Sequence, residues 1–106
     1  MTIVARQVVY RDRGLAISEH AVERVRLRAP GCAHLDNERI RTMIADAARR
    51  GPREAHYVPG QWRAIGQFLG VELYVVVGRD KTGWGRSGEA VAPVLTPEQV
   101  AARERE

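Results

Sequence analysis

The sequence has few of the residues on which several classes of small protein depend. Among its 106 residues Cys32 is the single cysteine, so neither an internal disulfide nor a zinc site built from several cysteines can form. No apolar run approaches the roughly 20 residues that span a bilayer. The first ten residues carry Arg6 in their middle and lack a small-residue cleavage site, unlike a secretory signal. We therefore expect a cytoplasmic protein with no membrane segment.

Several catalytic and cofactor motifs are also missing. The histidines, His20, His34 and His56, do not have the helical spacing of a zinc site, and no Walker loop or dinucleotide fingerprint occurs. Cys32 lies in a Pro30-Gly31 turn segment with no catalytic motif around it. The sequence therefore predicts no metal and no cofactor.

Positive charge is what the sequence has in excess. The formal net charge is +4, and 16 of the 17 basic residues are arginine, Lys81 being the exception. Arginine binds phosphate in bidentate geometry, although a GC-rich genome would produce the same bias without any functional cause. The sign of the charge favours a polyanionic partner such as RNA.

The hydrophobic pattern predicts two helices near the start of a single domain covering residues 1–106. Ser18 is a good N-cap for the first helix, which should run to about Ala29. Asp36 caps the second, which should end at Gly51. Its apolar positions recur at helical spacing: Ile40, Met43, Ile44, Ala47 and Ala48.

Strands are predicted over 54–58, 61–68, 71–78 and 89–95, separated by turn residues. Short turns between consecutive strands indicate an antiparallel sheet, with the helices on one face. Residues 1–13 could add an edge strand or an ordered arm, with a turn at 11–14. Thr96 should cap a short C-terminal helix over 97–106. The fold class predicted is α+β, with two N-terminal helices on a four-stranded sheet.

His20 and Arg24 are the most suggestive pair of side chains. They are four residues apart on the first helix, so their side chains are about 40° apart around its axis and share one face. This face is turned away from the apolar stripe and is continued by Leu27 and Arg28. Histidine transfers protons near neutral pH, and a neighbouring arginine binds phosphate and favours a neutral histidine. Metal-independent RNA cleavage needs this combination. The alternative is a solvated helix face with no functional role.

Two other basic regions could extend such a site. Arg63 projects from the second strand and could join His20 if the first helix packs across that strand; otherwise it faces solvent. The loop over 79–88 mixes cations with one aromatic between glycines, as in loops that bind single-stranded nucleic acid. Its candidate RNA-binding residues, beside Arg28 on the helix, are Arg79, Lys81, Trp84 and Arg86.

The segment 17–28 resembles the HAxxRxxxR helix of small bacterial and phage domains related to BrnT and RelE-type toxins. The segment from Trp62 to Gly66, followed by the hydrophobic strand 71–77, is similar to the sheet of the BrnT proteins. The resemblance implies a strongly curved antiparallel sheet and a metal-independent ribonuclease. It implies catalytic roles for His20, Arg24 and Arg63, and a weaker match at Thr96. The serine- and arginine-rich final strand of BrnT is absent here, and 89–93 stands in its place.

The leading hypothesis is thus an RNA-acting toxin or a phage-encoded relative with endoribonuclease activity, whose partner besides RNA would be an antitoxin or a host protein. The alternative is a non-catalytic module of a phage or mobile element that binds a host protein or nucleic acid. The chain does not distinguish a monomer from a homodimer.

Overall fold

The computed structural model describes residues 9–12, 14–79 and 88–105. In these ranges the chain forms three α-helices, six strands and one 3-10 turn at Pro30–Cys32. In chain order the elements are β1 (Val9–Asp12), β2 (Leu15–Ser18), α1 (Glu19–Arg28), α2 (Asn37–Arg50), β3 (Arg53–Ala55), β4 (Trp62–Phe68), β5 (Val71–Arg79), β6 (Glu89–Leu95) and α3 (Pro97–Glu104). The predicted α+β class is confirmed. None of the described helices is long and apolar enough to cross a membrane.

The helix boundaries follow from their caps, as the sequence predicts. The side chain of Ser18 accepts from the backbone N–H of Ala21 at 3.1 Å, which satisfies a free donor of the first turn of α1. Asp36 does the same for α2 through the N–H of Arg39 at 2.8 Å. Thr96 and Gln99 form a full capping box at the start of α3.

The sheet is larger than the predicted one and is mixed, which corrects the four-stranded antiparallel prediction. Its order is β1-β2-β6-β5-β4-β3, and β2 runs parallel to β6 while every other pair is antiparallel. The missed strand is β2, because four residues between a turn and a helix cap give too short a pattern to recognise. The predicted turn at 11–14 is correspondingly shorter, since Arg11 and Asp12 belong to β1 and Gly14 turns with φ 83°.

Helix α2 packs mainly on β4 and β5 and also comes close to β1 at the opposite edge of the sheet. This one helix therefore spans most of the width of the sheet.

The helices occupy both faces of the sheet, which corrects the prediction that they share one. Gly66 of β4 faces α2 so closely that a Cβ there would lie 2.5 Å from Cβ of Ala47. Arg63 lies three residues before Gly66 on the same strand. Because side chains alternate along a strand, Arg63 points to the other face, where it pairs with Glu104 of α3. We call these the α2 face and the α3 face.

The core lies on the α2 face and continues through the middle of the sheet. Val75, Val76 and Val77 of β5 are all fully buried, as expected for a central strand covered on both faces. Phe68, Leu73 and Ile44 belong to the main cluster on the α2 face.

Candidate functional site

The His20–Arg24 pair is in direct contact on α1. Nε of Arg24 donates to Nε2 of His20 at 3.2 Å, and His20 is exposed. An arginine N–H can only donate, so Nε2 of His20 is the acceptor in this contact. Helical spacing thus produces the predicted pairing of a proton acceptor with a cation.

Arg28 continues this row one turn further along α1. Its Nε donates to Oε1 of Gln99 on α3 at 3.1 Å, while its Nη1 is buried without a hydrogen-bond partner. Burial, and next the charge of Arg24, lowers the pKa of the Arg28 guanidinium. Both effects disfavour the charged form of Arg28, because burial removes water from its guanidinium and the charge of Arg24 repels it.

We refer to His20, Arg24 and Arg28 as the basic face of α1. Within the described ranges, no carboxylate lies at ion-pair distance from Arg24 or Arg28. An anion bound between the two guanidiniums would relieve their repulsion. Leu27 lies on the same side of α1 and is 69% exposed, so this face is open to solvent.

Arg63 does not join the basic face, contrary to the arrangement predicted. α1 packs on β2, β6 and α2, and it is α2 that covers β4. Arg63 instead lies on the α3 face, where it is only 5% exposed. The expectation that Arg63 faces either a phosphate or solvent is therefore wrong, because two carboxylates already surround it.

Those carboxylates belong to Glu54 and Glu104. Nη2 of Arg63 lies 3.2 Å from Glu54 and 2.5 Å from Glu104, and Nη1 donates to Nδ1 of His56 at 3.2 Å. The Arg63 guanidinium also lies 5.1 Å from the centre of the Tyr74 ring. These five residues form what we call the Arg63 network.

Ionisation in the Arg63 network follows from these contacts. Burial opposes the charge of Arg63, but its pKa is raised because hydrogen bonds to Glu54 and Glu104 outweigh that cost. Hydrogen bonds from Arg63, and then from Tyr74, lower the pKa of Glu54. Burial, and then Arg63, lowers the pKa of His56 and keeps its ring neutral. With one cation against two carboxylates, the network does not attract phosphate.

Sequence reasoning missed most of the Arg63 network. One signal was available, because the turn between β3 and β4 places Glu54 directly across from Arg63, and opposite charges at such positions pair. No local pattern pointed to Glu104, which is 41 residues away in the chain. The sequence predicts Gln99 as a capping residue, but its second role as a partner of Arg28 depends on how α3 packs.

The remaining predicted site residues divide into two groups. The Thr96 hydroxyl accepts from the N–H of Gln99 at 3.1 Å and is used in capping α3. Arg79 is exposed at the end of β5, paired in register with Glu89 of β6. The other loop candidates, Lys81, Trp84 and Arg86, lie outside the described residues.

A second ion pair stands at the same end of the sheet as Arg79. Glu89 accepts from Arg49 of α2 at 2.8 Å and from the Trp62 indole at 3.2 Å, and Arg53 lies over that indole. The hydrogen bond from Arg49 is the main cause that lowers the pKa of Glu89. This cluster joins α2 to three strands, β3, β4 and β6.

In the ranges described, no three histidine, cysteine, aspartate or glutamate side chains come together as metal ligands. Comparisons with family models, with curated proteins and with solved structures found no match to the chain.

Proposed function

We propose that this protein binds RNA on the basic face of α1 and cleaves it without a metal, as a relative of the BrnT and RelE-type toxins. The observation that carries the proposal is the pair of guanidiniums on Arg24 and Arg28, beside His20 on one face of α1 and without a carboxylate partner in the described ranges. The order of elements also supports it, since the HAxxRxxxR helix is followed by a second helix and then by strands.

The chemistry proposed uses His20 as the base. Arg24 turns from His20 to the phosphate, and Nε2 of His20 then accepts the proton of the ribose 2′-hydroxyl. The 2′-oxygen attacks phosphorus while the bond to the 5′-oxygen breaks, which leaves a 2′,3′-cyclic phosphate. The leaving 5′-oxygen takes a proton from water, and His20 later returns its proton to the solvent, so that a 5′-hydroxyl is formed and the base is restored. Arg24 and Arg28 stabilise the charge that develops on the phosphoryl oxygens.

Binding is tested first, with fluorescence anisotropy of a single-stranded RNA at several salt concentrations. Removing one phosphate contact should reduce the salt slope by about 0.7 for a single strand. Arg24→Gln and Arg28→Gln should therefore weaken binding and flatten the slope. Arg39→Gln, an exposed arginine on α2, is the matched control and should change neither.

Cleavage is tested in the presence of EDTA. His20→Ala should keep RNA binding and reduce the cleavage rate roughly 10² to 10⁴-fold, the usual contribution of a general base. His34→Ala, at an exposed histidine in the segment before α2, should cleave like the wild type. Equal growth of cells expressing wild type and His20→Ala, with no cleavage by either protein, would overturn the nuclease assignment.

The second candidate is a non-catalytic module that binds a host protein or nucleic acid. The position of Arg63 favours it, because the cation that the toxin resemblance assigns to catalysis is engaged by Glu54 and Glu104. Salt-dependent RNA binding without cleavage would identify a nucleic-acid module. Binding of a protein partner with flat salt dependence would identify a protein module instead.

A further inference from the structure

A groove on the α3 face opens beside the basic face of α1. It has a volume of about 450 Å³ and is open to solvent. Its lining residues are Tyr57, Pro93, Leu95, Gln99, Ala102 and Arg103. We call it the α3 groove. None of its residues belongs to the basic face or to the Arg63 network, so it is a separate feature of the surface.

The lining combines an aromatic ring with apolar walls and few polar groups. Tyr57 is 40% exposed, and its ring is supported from behind by His56, with ring centroids 3.9 Å apart. Pro93 and Leu95 of β6 form the apolar wall, and Gln99 and Arg103 of α3 supply the polar groups. An exposed aromatic ring with apolar walls and an amide at its edge suits a flat heteroaromatic ligand.

Gln99 connects the groove to the basic face. Its side chain lines the groove, and its Oε1 accepts from Nε of Arg28 at 3.1 Å. A phosphate on Arg28 would therefore lie beside the groove, with the Gln99 side chain between them. The nearby carboxylate of Glu104 is engaged by Arg63 and does not oppose a polyanion at full strength.

We propose that the α3 groove is a nucleobase subsite, in which one base of a single-stranded RNA stacks on Tyr57 while its phosphate lies on Arg28. This inference rests on the proposed function, because the occupant is a nucleotide of the strand held by the basic face. It extends that function, since it predicts that binding depends on bases as well as on phosphates.

The probes are two 2′-O-methyl RNA strands of equal length and charge, one carrying adenine at every position and one abasic throughout. The 2′-O-methyl groups prevent cleavage through the 2′-hydroxyl, so binding is measured alone. We expect the wild type to bind the adenine strand about tenfold more tightly than the abasic one, as base stacking on an aromatic side chain does elsewhere.

Three variants locate that preference. Tyr57→Ala should remove it and leave the affinity for the abasic strand unchanged, whereas Tyr57→Phe retains the ring and should retain the preference. Ala102→Phe, at an exposed position of α3, fills the groove and should remove it without altering Tyr57. It also keeps the test decisive if Tyr57→Ala unfolds.

The outcomes separate the two proposals. Equal binding of both strands by the wild type would overturn the nucleobase subsite and leave phosphate binding by the basic face intact. A preference that survives both Tyr57→Ala and Ala102→Phe would place the base elsewhere and also overturn the subsite. Binding of neither strand would overturn the proposed function and the subsite with it.

Discussion

The guanidinium of Arg63 donates to the carboxylate of Glu104, and this ion pair joins the last turn of α3 to the strand β4. The same guanidinium is shared with Glu54 on the neighbouring strand. One buried cation therefore holds an edge strand and the C-terminal helix against the α3 face.

Removing both carboxylates should lower the free energy of unfolding by more than the sum of the two single substitutions. Glu54→Gln and Glu104→Gln are each expected to lower the free energy of unfolding by about 1 kcal/mol, because both side chains are half exposed and one partner remains for Arg63. The double variant leaves a buried guanidinium without a counter-charge, at a cost of about 3–5 kcal/mol. Urea unfolding of the four proteins gives the coupling energy, with Glu72→Gln on β5 as an exposed control. Strict additivity would contradict the shared-cation arrangement.

His56 should make the fold sensitive to mild acid. Burial, and next Arg63, holds its pKa below the ordinary 6.5, so the unfolded chain takes up a proton in a range where the folded one does not. The contribution of neutral His56 to the free energy of unfolding is therefore fully present above pH 6.5. It falls as the pH drops from 6.5 towards the lower pKa of the folded state, by at most about 1.4 kcal/mol per pH unit. His56→Gln should flatten the melting temperature between pH 7 and pH 5. An unchanged slope in that variant, or an equal flattening in His34→Gln, would show that another group is responsible.

Gly66 should tolerate no side chain, because this position of β4 lies directly against Ala47 of α2. A Cβ would lie 2.5 Å from Cβ of Ala47 and 3.0 Å from the Phe68 ring. Gly66→Ala is expected to cost about 1–3 kcal/mol through overpacking. Adding Ala47→Gly, which alone costs about 1 kcal/mol within a helix, should remove the main clash. In thermal unfolding, the double variant should therefore lose less stability than the sum of the losses in the two single variants. A loss equal to that sum would show that the clash lies elsewhere.

Leu69 is a position where a substitution should stabilise the protein. It begins the turn between β4 and β5 with φ 50°, in the left-handed region, and it is 57% exposed. Asparagine accepts this backbone and, before Gly70, gives the pair preferred in two-residue hairpins. Leu69→Asn should add roughly 0.5–1 kcal/mol to the free energy of unfolding. Leu69→Ala keeps the strained backbone and should add nothing. A decrease in stability with Asn would mean that the proximity of Leu69 to Gly31 outweighs the strain.

Local patterns were enough to predict all three α-helices and the strands β4, β5 and β6, whereas the strand predicted over 54–58 overlaps β3 only at Glu54 and Ala55. Ser18, Asp36 and Thr96 act within their own first turns, so the information that sets those helix starts is contiguous in the chain. The pairing of His20 with Arg24 is predictable for the same reason, since four residues of helix fix it. The parallel partner of β6 was not predictable, because β2 carries too few residues to show a period.

The surroundings of Arg63 could not be read from its own strand. Alternation along β4 places Arg63 and Trp62 on different faces, but it does not say what covers either face. The partner Glu104 comes from α3, whose position is set by packing after the sheet has formed. The same holds for Gln99, whose contact with Arg28 joins two helices across 71 residues of chain.

The parallel pairing of β2 with β6, which sets Ala16 beside Ala90, also has a consequence for how the chain is synthesised. Strands β3, β4 and β5 can pair as hairpins while they leave the ribosome, because each partner follows closely in sequence. The N-terminal hairpin must wait until residues 89–95 emerge, so its inner edge stays unpaired during most of translation. Translation products that stop before that strand would expose strand edges on both sides of the gap, and should be the species that aggregate or are degraded.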